Sequence, residues 1–273
     1  MTDRVRVGIT LPSFVRDHER AIEIASVAEA HGVDGVFAFD HLFRRSRDGQ
    51  RRPAHEAIAL LGAIAATTSK ITIGTLVLRA SLRPPASTAV AVATLERLAH
   101  GRLVIGIGAG DSESREENES FGIGFGSVDE RVAALEATVR AARDQGPPIW
   151  VGGLLDQVRD VAAREADGWN AWGIGRATFA EHARALTATA AHHPFECSWS
   201  GLVVADESDA AATDRAHDLD AGPDTIVGGP EQVAAAVREL GDMGAAWVIL
   251  GPVDAADPRT ARVVGDAVLP LVR

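Results

Sequence analysis

The sequence has one cysteine, Cys197, and one lysine, Lys70. A single cysteine cannot close an internal disulfide, so the reducing cytoplasm is the expected setting. The scarcity of lysine bears on mechanism. Schiff-base chemistry needs a lysine at the reactive end of a fold, and Lys70 directly precedes a strand, at the opposite end. An excess of positive charge is also missing: 27 basic residues face 38 acidic ones, for a net charge of −11. That balance argues against nucleic acid as the main partner, because phosphate binding needs a basic surface. No apolar run reaches the roughly 18 residues of a membrane span. The N-terminus enters a strand at once, with no basic-then-apolar export signal. The nine histidines form neither His-x-His after the first strand nor His-x-x-x-His on a helix, which disfavours a barrel metallohydrolase, and no metal site is expected. His192-His193 precede Pro194 in a helix-to-strand loop at the inert end, where solvation accounts for them. A G-x-S-x-G elbow and a Walker lysine are absent as well.

What is present is a regular alternation. Apolar and β-branched runs at 5–11, 35–39, 71–78, 103–107, 149–151, 169–172, 201–204 and 247–250 suit parallel strands covered on both faces. Between them, stretches at 20–31, 54–68, 89–99, 128–143, 157–165, 179–191, 230–243 and 258–269 carry helical spacing and much alanine. Eight strands alternating with eight helices over 273 residues predict a parallel α/β fold with right-handed crossovers. A closed (β/α)8 TIM barrel is favoured over an open doubly wound sheet, which usually carries fewer strands. No linker or charge block divides the chain, so residues 1–273 read as one domain. The acidic, glycine-rich stretch 111–127 follows the fourth strand and falls on the active face, as a loop able to fold over a ligand.

Barrel active sites lie at the C-terminal ends of the strands. The sharpest candidate there is Asp40-His41, which ends GVFAFD and so should face the mouth. An imidazole titrates near neutrality and suits proton transfer, and a neighbouring carboxylate can fix a cofactor or the ring's tautomer. A helix-capping Asp followed by a loop His explains the pair equally well. The run Gly106-Ile107-Gly108-Ala109-Gly110 lacks the spacing and place of a dinucleotide fingerprint. Small residues there let a flat ring approach the backbone closely, and Asp111 closes the run at the same mouth. Gly152-Gly153 end the fifth strand just before a helix whose free N–H groups could hold a phosphate, although a plain strand-to-helix turn needs the same glycines. Trp169 and Trp172 read as core packing, with Trp172 placed to wall a pocket.

Five segments, GVDGVFAFDHL, KITIGTLVL, LERLAHGRLVIGIGAGD, PPIWVGG and EADGWNAWG, stand in an order that resembles the bacterial-luciferase-like oxidoreductases, especially their branch using the deazaflavin coenzyme F-420 (F420). The resemblance implies a barrel binding deazaflavin, or alternatively FMN, across the strand ends. It implies hydride transfer to or from a small organic molecule, with Asp40 binding the cofactor head and His41 as proton donor. Thr75, Leu76 and Val77 fall where such proteins carry a non-prolyl cis peptide behind the ring. Asp111 falls on a catalytic base, normally glutamate, and Ser114 on a cofactor-binding asparagine. Gly108 and Gly110 approach the ring, and Gly152 and Gly153 meet the phosphate. The departures at Asp111 and Ser114, and the short region between the fourth and fifth strands, predict a relatively open site and leave the substrate unassigned. An FMN-dependent monooxygenase and a non-catalytic flavin- or deazaflavin-binding protein are the alternatives. A homodimer is implied by the same resemblance.

Overall fold

The computed structural model describes residues 4–15, 17, 19–45, 49–190 and 194–273; His192 and His193 lie outside them. Eight parallel strands close on themselves: β1 Arg6–Thr10, β2 Gly35–Ala38, β3 Thr72–Arg79, β4 Leu103–Gly108, β5 Ile149–Gly152, β6 Gly168–Trp172, β7 Glu196–Ala205 and β8 Trp247–Pro252. Each pairs with the next, and β8 pairs with β1. The fold is therefore the (β/α)8 TIM barrel that the alternation predicts. Its main helices are α1 Glu19–Ala30, α2 Ala57–Thr67, α3 Pro85–Ala99, α4 Ser114–Ser120, α5 Val128–Arg143, α6 Asp156–Glu165, α7 Arg176–Thr189, α8 Asp209–Asp218 and α9 Pro230–Asp242. A last helical run passes from Arg259–Val263 through a π-turn at Val264–Val268. The start of α3 lies earlier than its apolar spacing suggests, because Pro85 occupies its first turn, where the missing N–H costs nothing. Among the described residues no helix is long and apolar enough to cross a membrane.

Four elements escaped the apolar pattern. One is the antiparallel hairpin Phe43–Arg45/Arg51–Pro53. The short strand Ile226–Gly228 extends the sheet beside the outer end of β7. The other two are α4 and α8. The stretch 111–127, expected as a loop over the mouth, thus contains a helix, and Ser114, Glu117 and Asn118 are buried on its inner face.

Side chains alternate across a strand, and the inward set fills the bore. Phe37, Val104, Trp150, Trp247 and Ile249 pack there with Leu76, apart from the larger apolar shell between sheet and helices. The rings of Phe37, Trp150 and Trp247 lie 5.6–6.0 Å apart by centroid. Glycines on neighbouring strands make room for them: a Cβ at Gly74 would meet Phe37 at 2.9 Å, and one at Gly168 would meet Trp150 at 2.7 Å. Above the rings comes a polar layer, in which buried Asn170 donates to Ser198 Oγ (2.9 Å) and Ser200 Oγ (2.6 Å). Lys70 lies just before β3, at the end of the barrel away from the mouth.

Candidate active site

Strand β2 stops at Ala38, and the next three residues diverge. Phe39 turns toward the mouth, where its ring meets Trp172 edge-on at 5.4 Å. Asp40 does not face the mouth as expected. It is buried, and Arg83 holds it in a two-pronged ion pair (2.7 and 2.9 Å), while the Arg79 backbone N–H donates to Oδ2 at 3.0 Å. The inward position is already taken by Phe39, so the carboxylate is directed to the Arg79 backbone N–H at the end of β3 and to Arg83 in the loop that follows. Burial alone would lower the Arg83 guanidinium's pKa; its pairing with Asp40 and Glu56 outweighs that and raises it.

His41 stays half-buried at the rim. Its Nδ1 pairs with Glu117 Oε1 at 2.7 Å, and Nε2 has no protein partner among the described residues. Glu117 also accepts from the Leu42 N–H (2.8 Å) and from Arg79 Nη2 (2.9 Å). Burial pushes the Glu117 carboxyl upward. The hydrogen bonds from His41 and Leu42 and the charges of His41 and Arg79 more than offset this, so its pKa lies below the ordinary value of 4.5. Arg79 is the hub: its Nε donates to Asp40 O (2.9 Å) and its Nη1 to Asn118 Oδ1 (3.2 Å). A buried guanidinium needs this degree of satisfaction to be tolerated.

The floor of the mouth is the bulge of β3. The Leu76-Val77 peptide is cis, and the β3–β4 register shifts between Thr75 and Leu78. Thr75 is buried and donates to Gly106 O at 2.9 Å. Val77 fills the space left by two expected site glycines, since a Cβ at Gly108 or at Gly152 would lie 2.5 Å from its methyl groups. These glycines therefore admit Val77, which in turn presents the floor. Gly110 is required by its φ of +72°, and Gly153 by its φ of +144°. Asp111 is exposed, and its Oδ1 accepts from both Ser114 N and Ser114 Oγ at 3.0 Å, which ties down the start of α4. Trp172 at the mouth is 39% exposed and Leu202 on β7 is 41% exposed, whereas Trp169 is packed against Phe179 in the core.

The family model described as luciferase-like monooxygenase matches residues 3–224. This chain belongs to the luciferase-like monooxygenase family. Two curated relatives are F420-dependent glucose-6-phosphate dehydrogenases. That of Nakamurella multipartita is 35% identical over 131 residues, covering 48% of this chain and 36% of the relative. That of Beutenbergia cavernae is 32% identical over 167 residues, covering 52% and 49%. The matched stretch thus spans less than half the length of either relative. Among solved structures, an F420-dependent secondary alcohol dehydrogenase in complex with an F420-acetone adduct superposes with a TM-score of 0.81 at 18% identity, covering 99% of both chains. The coenzyme F420-dependent tetrahydromethanopterin reductase of Methanopyrus kandleri gives 0.77 at 17% identity, covering 99% of this chain and all of the other. At such identities the likeness is one of fold.

Within this luciferase-like barrel the structure assembles Asp40 and His41 with Arg79 at the strand end and with three residues the sequence had not singled out: Arg83, Glu117 and Asn118. Glu117 stands 76 positions from His41, so no local motif joins them. The available signal was the spacing Ser114, Glu117, Asn118, which is one face of a helix at i, i+3 and i+4. Cys197 takes no part. It is buried, and burial pushes its thiol up to about 11, which keeps it from acting as a nucleophile at neutral pH. Among the described residues no group of His, Cys, Asp and Glu could hold a metal ion.

Proposed function

We propose that this protein is an oxidoreductase dependent on the deazaflavin coenzyme F-420, moving a hydride between that cofactor and a small organic substrate. One observation carries the reading: His41 is held by Glu117 through Nδ1 at 2.7 Å, with Nε2 left open at a mouth built of flat and apolar surfaces. The names of the relatives support the choice of cofactor. The residues present fit a flat ring. Val77 offers an apolar floor, Gly108 and Gly152 add no side chain of their own, and Phe39 and Trp172 wall one side. The first turn of α6, next to Gly152 and Gly153, has no side-chain cap, which leaves N–H groups for a phosphate.

When bound, the deazaflavin supplies or accepts the hydride, and the protein handles the accompanying proton. Glu117 is ionised at neutral pH, so it favours the tautomer with the proton on Nδ1 and orients the ring. The Nε2 lone pair of the neutral ring is then free to take a proton from the substrate, and in the reverse direction the doubly protonated ring, paired with Glu117, delivers one. Asp40 acts behind this site by fixing Arg79 and Arg83, and Asp111 and Ser114 hold α4 in place. Phe39 and Trp172 keep water from one side of the reacting atoms.

Titration of the purified protein with F-420 and with FMN tests the cofactor. Tight F-420 binding is expected, and tight FMN binding with none for F-420 would instead favour an FMN-dependent monooxygenase. His41→Ala should lower kcat by about 10²–10⁴-fold with little change in F-420 affinity. An unchanged rate would remove His41 from the mechanism, and no turnover of any alcohol or carbonyl compound by the wild type would favour a non-catalytic binder. The same reading places the protein in the cytoplasm, with a small-molecule substrate and neither nucleic acid nor membrane as partner; the net charge of −11 and the buried free thiol support it. It also makes the protein a homodimer, for which exposed Val90 and Leu98 on α3 offer an apolar contact.

A further inference from the structure

The hairpin that follows His41 is strongly basic in an acidic protein. Residues 43–53 contain Arg44, Arg45, Arg47, Arg51 and Arg52, against one acid, Asp48. Directly opposed residues of an antiparallel ladder share a face, so the described part of the hairpin presents two arginine pairs, Arg45 with Arg51 on one side and Arg44 with Arg52 on the other. Like charges placed directly opposite each other are destabilising, so each pair calls for an anion.

The first pair has one. Glu116 of α4 accepts from Arg45 Nε (2.9 and 3.0 Å) and Nη2 and from Arg51 Nη2 (3.3 Å), and Phe43 on the same face stacks on Phe121. The second pair repeats this register without a carboxylate. Arg44 and Arg52 are exposed, and no described acidic residue pairs with either. Arg44 places this face beside the reactive mouth: its guanidinium lies 5.8 Å from the Phe14 ring centroid, and that ring lies 5.4 Å from His41, while Arg52 stands opposite Arg44 in the ladder.

We propose that Arg44 and Arg52 bind a carboxylate of the substrate, which makes the substrate a small organic acid whose apolar or aromatic body lies along Phe14 toward His41. The covered face of the hairpin is the precedent, since there two opposed arginines share one carboxylate. Arginine suits the task because its planar fork can grip both carboxylate oxygens. This assignment rests on the oxidoreductase reading above, and its test is arranged so that the two can fail separately.

The test compares benzoate with benzamide, its neutral isostere, by isothermal titration of the wild type and of an Arg44→Gln/Arg52→Gln variant, with and without F-420. The wild type should prefer benzoate by about ten-fold, as expected for hydrogen bonds made to a charged group. The double variant should lose that preference while keeping its thermal melt, because both side chains are exposed on a hairpin outside the barrel wall. Arg52→Gln alone should lose part of it. Equal binding of benzoate and benzamide by the wild type, or a preference that survives in the double variant, overturns the proposal. Phenyl phosphate outbinding benzoate by a similar factor would make the anion a phosphate and also overturn it. So would loss of F-420 affinity in the double variant with the benzoate preference intact, since the anion would then belong to the cofactor. A wild type that selects benzoate but binds no F-420 sinks the oxidoreductase reading and leaves the anion site standing.

Discussion

The two ends of the bore are filled by opposite chemistry. Below, Phe37, Trp150 and Trp247 pack against glycines of neighbouring strands and against Ile249 and Val104. At the upper end, His41 and Glu117 at the rim are joined to Arg79, Arg83 and Asp40 behind them by hydrogen bonds and ion pairs. The lower end rests on buried area, which is non-directional and sets stability. The upper end is directional, and its worth lies in placing an imidazole and a floor in fixed positions. Changes below should therefore move stability first, and changes above should move function at least as much.

The largest effect should come from Trp150→Ala, which empties the centre of the ring cluster and should cost about 4 kcal/mol in urea denaturation. The folded fraction should still bind F-420 normally; lost affinity without lost stability would break the contrast. Arg79→Leu should follow, at about 3 kcal/mol, because it strands Glu117 and part of the Asp40 network in a buried site. Here cofactor affinity or turnover should fall as well, and a purely structural effect would place the hub with the lower end.

Glu117→Gln sharpens the comparison through pH. The carboxyl's pKa is lower in the folded protein than its ordinary 4.5, so the unfolded chain binds the proton more readily. The resulting stabilisation is fully present above the ordinary value and is lost as pH falls through the folded one. The variant should show a flatter acid limb of stability than the wild type, and kcat should drop about ten-fold, the scale seen when a carboxylate orienting a functional imidazole is removed. An identical acid limb would mean that Glu117 is not held as described. The smallest effect belongs to Asp111. Asp111→Ala should cost about 1 kcal/mol as a lost capping contact, whereas Asp111→Asn keeps the acceptor oxygen and should keep both stability and rate. A rate lost in Asp111→Asn alone would make this carboxylate a base.

The barrel was legible because its strands are continuous apolar runs and its outer helices repeat apolar residues every three to four positions. Elements without that signal were not. Helix α4 reads Ser-Arg-Glu-Glu-Asn-Glu-Ser and buries a polar face, so apolar spacing is blind to it. On α8 only Ala212 is buried. The hairpin strands have three residues each, four of the six being arginine, and their pairing depends on α4 covering one side. At the site, Asp40 and His41 stood out through position on β2, but the direction of Asp40 depended on Phe39 taking the inward place. The partners at positions 79, 83 and 117 become neighbours only when β3 and α4 converge on the end of β2.

Trp172 gives the molecule a built-in optical probe. The sequence has no tyrosine and five tryptophans, and the other four, Trp150, Trp169, Trp199 and Trp247, are all buried. Intrinsic emission therefore divides into a shielded blue component from the core and a water-exposed red component from one ring at the mouth. Occupancy of the site can be followed by quenching of the red edge alone, in unlabelled protein, while the blue component reports at the same time whether the barrel is still folded.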